Sequence, residues 1–169
     1  MSWCNELRTP AAIDHRGVPV GREIPGNEPY AELTNPAALP GGEMNGDVGS
    51  IIIVVATDAP LLPHQLKRIA RRASMGLART GSTSGNGSGD IFIAFSTANP
   101  LANVEPGPNT VKTVSNERIS PLFSATVEAT EEAIVNAMVG AKTMTGIDGH
   151  TVIALPHDKL QQALKKYNR

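Results

Sequence analysis

An α/β or layered α+β fold is predicted by three features of the sequence. Residues 50–56 and 91–95 are runs of β-branched and aromatic residues that read as strands. Between them, residues 63–79 carry apolar side chains at helical spacing, and residues 120–139 repeat that pattern at greater length. Strands alternating with helices bury their apolar surfaces as helices layered on a sheet. At 169 residues and 17.8 kDa the chain is the size of one domain.

The elements follow in order. Residues 10–49 are rich in Pro and Gly, with breakers at Pro25-Gly26, Asn35-Pro36 and Pro40-Gly41-Gly42. Short candidate strands such as residues 16–20 lie between them, so this stretch is expected to wrap or link rather than build the core. At Ser50 the character changes to Ser-Ile-Ile-Ile-Val-Val-Ala, which lacks polar alternation and predicts a strand buried on both faces. Asp58 and Pro60 end it. Pro63 suits a first helical turn, and Leu66, Ile69, Ala70, Ala73 and Leu77 form one stripe of an amphipathic helix over 63–79. Its other face carries Lys67, Arg68, Arg71, Arg72 and Arg79 and reads as a solvated face. A polar loop, Gly81-Ser-Thr-Ser-Gly-Asn-Gly-Ser-Gly-Asp90, opens directly into the second buried strand. The long helix turns Leu122, Phe123, Val127, Ile134 and Met138 inward and stops at Gly140. Residues 151–155 then lead to a last helix begun by Pro156.

Composition narrows the function. Fifteen Lys and Arg balance sixteen Asp and Glu for a formal charge of -1, so no cationic field gathers phosphate backbones and no nucleic acid partner is expected. No apolar run approaches the about 18 residues of a membrane span, and the N-terminal Met-Ser-Trp-Cys-Asn-Glu-Leu-Arg is charged where a signal peptide is apolar. A cytoplasmic protein with no membrane partner is the expectation. The single cysteine, Cys4, excludes an internal disulfide and a cysteine-rich zinc site. His15, His64, His150 and His157 form no His-Glu-x-x-His pattern, so neither metal nor cofactor is expected.

The glycine-rich loop invites a phosphate cradle, but its details refuse it. No lysine stands in the loop, so the Gly-Lys-Ser/Thr ending of a P-loop is missing, and Asp90 occupies the place of the third glycine in a dinucleotide fingerprint. The order is wrong too: both phosphate motifs run from strand into helix, whereas this loop leaves a helix and enters a strand. Ser88 and Asp90 flank one residue at the mouth of that strand, where a period of two points both side chains to one side.

The Gly49-Ser50 junction has two readings. Ser50 can be a turn residue at a strand start. It can also be an N-terminal nucleophile made by self-cleavage. Gly49 can hold backbone conformations closed to other residues, and Ser50 Oγ can then attack the Gly49 carbonyl and leave an ester for water to hydrolyse. The freed α-amine, with an ordinary pKa near ~8, then serves as base toward its own hydroxyl.

The segments Gly17-Val-Pro-Val-Gly-Arg-Glu-Ile-Pro25, Asn45-Gly-Asp-Val-Gly-Ser-Ile-Ile-Ile-Val-Val-Ala-Thr-Asp-Ala-Pro60 and Gly85-Asn-Gly-Ser-Gly-Asp-Ile-Phe-Ile-Ala-Phe-Ser-Thr-Ala-Asn99 closely resemble the L-aminopeptidase/D-Ala-esterase/amidase family, the DmpA-like β-aminopeptidases. The resemblance runs from about Gly17 to the C-terminus. It implies an αββα sandwich resembling N-terminal nucleophile hydrolases, expected here to be incomplete at the N-terminus, a precursor that cuts itself into two chains, and a homo-oligomer. Its substrates would be peptides, amides or esters from which small N-terminal residues are released, D-alanine and β-amino acids among them.

Carried over position by position, the resemblance makes Gly49-Ser50 the cleavage point, dividing one domain into residues 1–49 and 50–169, and makes Ser50 the nucleophile. Ser88 matches the family's second catalytic serine and Asp90 its acidic residue, which can fix the hydrogen-bond network or hold a substrate ammonium. Family precursors carry a longer region before the Gly17 segment, with a pocket tyrosine and an oxyanion-stabilising asparagine in an Asn-Tyr-Gly stretch. Asn5 falls near that asparagine, although Cys4 and Glu6-Leu7-Arg8 differ from its usual neighbours. The alternative expectation is therefore a truncated, inactive remnant of the family. Self-cleaving ornithine acetyltransferases are a third comparison, but they would place threonine where Ser50 stands.

Overall fold

The computed structural model describes residues 17–24, 50–102, 104, 106–146, 149 and 151–169. Cys4, Asn5, His15, Gly49 and His150 lie outside the described residues, as do the breakers of residues 25–49.

The centre of the fold is a strand–helix–strand unit. Strand β1 (Ile52–Thr57) is followed by helix α2 (Pro63–Arg79) and strand β2 (Ile91–Ser96), and the two strands pair in parallel with Ile52 opposite Ile91 and Thr57 opposite Ser96. Parallel pairing needs a crossover of this length, which α2 supplies. Helix α3 (Ser120–Gly140) packs against α2. A short helix α1 (Val20–Glu23) precedes the unit. A two-residue ribbon, β3 (Met144–Thr145) against β4 (Thr151–Val152), and helix α4 (His157–Lys166) follow it. Val20 thus begins a helical turn where a strand over 16–20 was expected. The 151–155 segment yields only the two paired residues of β4.

Helix α2 has the predicted bounds, and the chemistry at its start explains them. Pro63 has no N–H to satisfy, and the Leu62 amide donates to Gln65 Oε1 at 3.0 Å. Gln65, 2% exposed, also accepts from Thr113 Oγ1 and donates to the Val114 carbonyl and Asn116 Oδ1. A buried amide with all these partners fixes the 113–116 segment over the helix start. Ile69 joins Leu61 and Ile119 in the main core, against Val55, Ala94, Leu122 and Phe123. At the other side of this core the Ser96 hydroxyl donates to the Ala59 carbonyl at 2.6 Å, and the Ala59 amide donates to Thr57 Oγ1. Those two bonds hold the turn from β1 toward α2.

The α2–α3 contact departs from the sequence reading in two ways. Thr126 and Thr130 are buried beside Val127 and Ile134, because each hydroxyl donates to a carbonyl one turn back in its own helix, Leu122 and Thr126 respectively. The cationic face of α2 is also more than a solvated one. Arg68 and Arg72 lie over the Phe123 ring at 5.0 and 4.3 Å, Arg68 donates to Asn116, and Arg79 pairs with Glu131 at 3.2 Å. Lys67 and Arg71 remain exposed.

The larger correction concerns the sheet. Both strands were expected to be buried on two faces, yet burial alternates along each. Ile53, Val55, Phe92 and Ala94 turn toward the helices. Ile52, Val54, Ile91, Ile93 and Phe95 are 45 to 67% exposed and form one continuous apolar face. The described residues supply helices for one side of the sheet and nothing for the other. The other sheet among the described residues is the short β3–β4 ribbon.

A smaller core joins Val18, Val20 and Ile24 to Leu155, Leu160 and Leu164. At its margin Glu23 accepts from Lys166 Nζ at 2.8 Å and from Tyr167 Oη at 2.9 Å. These two bonds, Lys166 first, hold the Glu23 carboxyl below its ordinary value of 4.5, and the same contacts raise Lys166 and Tyr167 above theirs.

Two outcomes follow from this packing. A Cβ on Gly76 would stand 2.6 Å from both Thr130 Cβ and the Val127 carbonyl oxygen. Alanine gains about 1 kcal/mol of helix propensity over glycine, but forcing the helices apart costs about 1–3 kcal/mol, so the clash prevails. Gly76→Ala should lower the denaturant midpoint, and an unchanged or higher midpoint would contradict the close crossing. The Glu23 clasp gives a pH dependence. A depressed carboxyl stabilises the fold above its ordinary value of 4.5 and loses that contribution as pH falls through the lowered one. The raised Lys166 and Tyr167 act oppositely, stabilising below their ordinary values of 10.5 and 10.0 and losing it as pH rises further. Unfolding followed between neutral pH and pH ~3 should show a steeper acid loss in the parent chain than in Lys166→Met; identical acid limbs would remove the clasp from the account.

Candidate active site

The parallel register assembles the site. Because β1 and β2 run the same way, the residues just before each strand meet at one edge of the sheet, although they are 39 apart in sequence. The Ile91 amide donates to the Ile51 carbonyl at 2.9 Å, carrying the ladder one step beyond Ile52. The Ile51 amide in turn donates to Asp90 Oδ1 at 3.0 Å. Ile51, the residue after Ser50, is therefore tied to Asp90 by side chain and to Ile91 by backbone.

Ser50 is exposed, and its Oγ accepts the Gly89 amide hydrogen at 2.9 Å. Gly89 follows Ser88 directly, so the Ser88-Gly-Asp90 segment lies over Ser50. The approach is close: a Cβ on Gly89 would stand 3.1 Å from Ser50 Oγ, so the hydroxyl would have to give by a few tenths of an ångström. The Ser88 amide donates to the Gly85 carbonyl at 2.9 Å, which folds residues 85–88 into a tight turn. Ser88 and Asp90 are half-buried.

Of the residues singled out in the sequence, the structure brings together Ser50 and Asp90 and places the Ser88 segment against them. Gly49 and Asn5 lie outside the described residues. His64 is exposed at the start of α2, and His157 Nε2 lies 2.9 Å from the Val139 carbonyl oxygen, so neither joins the site. Among the described residues no three His, Cys, Asp or Glu side chains gather as a metal site. An apolar cavity of about 160 Å³ opens between Val55, Thr57, Leu61, Leu122 and Ala129, and it contains none of the site residues. Sequence reasoning missed Ser84, whose hydroxyl donates to Asp90 Oδ2 at 2.9 Å. Its signal was faint: one more serine among several in a polar loop.

The sequence pattern of peptidase family S58 matches residues 4–152, most of the chain. The chain belongs to peptidase family S58. It is 50% identical over 157 residues to the β-peptidyl aminopeptidase BapA of Sphingosinicella microcystinivorans, covering 90% of this chain and 39% of that protein. Among solved structures it superposes on the L-aminopeptidase D-Ala-esterase/amidase of Ochrobactrum anthropi with a TM-score of 0.78 at 41% identity, covering 95% of this chain and 41% of that one. That enzyme is described as a prototype of the serine aminopeptidases and a variant of the Ntn hydrolase fold. A Burkholderia β-aminopeptidase matches with a TM-score of 0.69 at 41% identity, over 93% of this chain and 41% of its own. The Ntn-hydrolase-type fold and its α/β class are thereby established for this S58 chain, which spans about two fifths of the length of these relatives.

One measurement checks the contact between Gly89 and Ser50. Gly89→Ala forces Ser50 Oγ aside by a few tenths of an ångström without entering the core. Labelling of Ser50 by a sulfonyl fluoride should slow about tenfold with the thermal midpoint in place. Unaltered labelling would show that the Gly89 contact does not orient the hydroxyl.

Proposed function

We propose that this chain carries the reaction centre of a self-processing serine aminopeptidase or amidase, with Ser50 as nucleophile. The observation that carries the reading is the seat of Ser50: its hydroxyl lies at the amino end of a strand, held by the Gly89 amide, one residue from a backbone amide fixed by Asp90. In the first reaction Ser50 Oγ attacks the Gly49 carbonyl carbon. An ester forms, the Gly49–Ser50 peptide bond breaks, and the Ser50 nitrogen takes up a proton and leaves as an amine. Water then hydrolyses the ester, giving a Gly49 carboxylate and a free Ser50 amine.

In turnover that amine accepts the Oγ proton as Oγ attacks the carbonyl of a substrate's first residue, and delivers the proton to the departing amine or alcohol. The acyl-enzyme on Ser50 is released by water. Asp90 holds the Ser50–Ile51 backbone in register, and Ser88 lines the same edge. The relatives named for β-peptidyl, L-amino-acid and D-alanyl substrates support a substrate with a small residue at a free N-terminus. Cleavage into residues 1–49 and 50–169, assembly as a homo-oligomer and a cytoplasmic location belong to the same proposal. The exposed apolar sheet face supports association.

Ser50→Ala should abolish both reactions. Mass spectrometry of the parent should find fragments meeting at Gly49 and Ser50, and amino-acid p-nitroanilides should be hydrolysed; the variant should remain one inert chain. Processing that persists without the Ser50 hydroxyl refutes the assignment. A parent chain that stays whole and releases no nitroaniline favours the inactive remnant.

A further inference from the structure

Ser84 has a backbone that its residue type does not favour. Its φ is +46°, and Asn168 at the C-terminus is the other described non-glycine residue with positive φ. The left-handed region costs an ordinary L-residue roughly 1–2 kcal/mol, and glycine enters it freely. Glycine is abundant in this loop, at positions 81, 85, 87 and 89, yet a serine occupies the left-handed position. The turn geometry alone would be better served by glycine, so the side chain must have a use.

That use is visible in two hydrogen bonds. The Ser84 amide donates to the Oγ of Ser82, which is 7% exposed and therefore a firm anchor. The Ser84 hydroxyl donates to Asp90 Oδ2 at 2.9 Å. The other oxygen of the same carboxylate accepts the Ile51 amide. A chain of contacts thus runs from buried Ser82 through Ser84 and Asp90 to the backbone beside Ser50. A hydrogen bond to each oxygen fixes the plane of the carboxylate as well as its position, because rotation about its last bond breaks one or the other.

We propose that Ser84 is a positioning residue for the Ser50 reactions, acting through Asp90 and not by touching substrate. The proposal rests on the reading of Ser50 as nucleophile. It predicts that losing the hydroxyl lets Asp90 turn, loosens the Ile51 amide and blurs the approach of Ser50 Oγ. The rate of chemistry falls while substrate affinity stays.

Three variants test it. Ser84→Gly removes the hydroxyl and relieves the backbone, Ser84→Ala removes the hydroxyl and keeps the strain, and Ser84→Asn tolerates the left-handed turn while keeping a donor. In Ser84→Gly and Ser84→Ala the new Ser50 terminus should appear about tenfold more slowly and kcat on an amino-acid p-nitroanilide should fall about tenfold, the size of one lost hydrogen bond to a charged group. KM should hold, the Ile51 amide NMR signal should move, and Ser84→Asn should restore most of the rate. Parent rates and an unmoved Ile51 signal in Ser84→Gly overturn the proposal, leaving Ser84 as a turn residue. If the parent chain neither processes nor hydrolyses, the reading of Ser50 fails separately, and the Ile51 signal decides alone. A shift in the glycine and alanine variants that asparagine reverses upholds the hold on Asp90, and an unmoved signal ends it.

Discussion

The parallel pairing of β1 with β2 is the constraint on which the site depends. Neither Ser50 nor Asp90 belongs to a strand; each stands just ahead of one, and the register sets their relation. Because side chains alternate with a period of two, a slip of one residue would reverse the faces of the strand that slips and move Asp90 away from the Ile51 amide. Packing against α2 opposes such a slip. Val55 and Ala94 lie in the core with Ile69, and a slip of either strand would turn its own member of the pair outward. The placement of the Ser50 hydroxyl thus derives from burial of aliphatic side chains several residues along the same strands.

Much of this was legible in the residue order. The 63–79 helix, the two strands and the long helix ending near Gly140 follow from periodicity and breakers, and Ser88 and Asp90 were marked by their place at a strand mouth. What failed was burial. The run of residues 51–56 reads as a strand covered on two faces because it has no polar alternation, whereas the described residues cover one face. Sequence records the environment a strand needs, and the partner that supplies it can lie elsewhere.

Polar residues in the core were also illegible, for a different reason. Gln65, Thr126 and Thr130 break an apolar stripe when scored by hydropathy, yet each is buried because a nearby group takes its hydrogen bonds. Thr126 and Thr130 bond within their own helix, so the sequence holds the donor and the acceptor but gives no sign that burial follows. Gln65 bonds to Val114 and Asn116, some fifty residues away, which no local pattern can show. Arg68 and Arg72 make the converse case: residues expected to face water instead cover the Phe123 ring with their guanidinium groups.

The location of the site at the amino ends of its strands is itself informative. In open parallel α/β sheets, ligands ordinarily gather beyond the carboxyl ends, where the loops into helices begin and helix N-termini face the ligand. Here the carboxyl ends are occupied by the Thr57–Ala59–Ser96 hydrogen bonds, and the polar loop with Ser84, Ser88 and Asp90 gathers at the opposite edge. A nucleophile that borrows a histidine can stand wherever the histidine reaches. A serine that uses its own α-amine as base has no such freedom, since it must begin a chain and its nitrogen must point away from the strand it starts. On the function proposed above, placing Ser50 just ahead of β1 suits a residue that is to begin a chain, because the hydrogen bonds of Ile51 to Ile91 and Asp90 hold the residue that follows it. The position of the Ser50–Asp90 cluster at the amino ends of the strands therefore agrees with the proposed chemistry at a chain start.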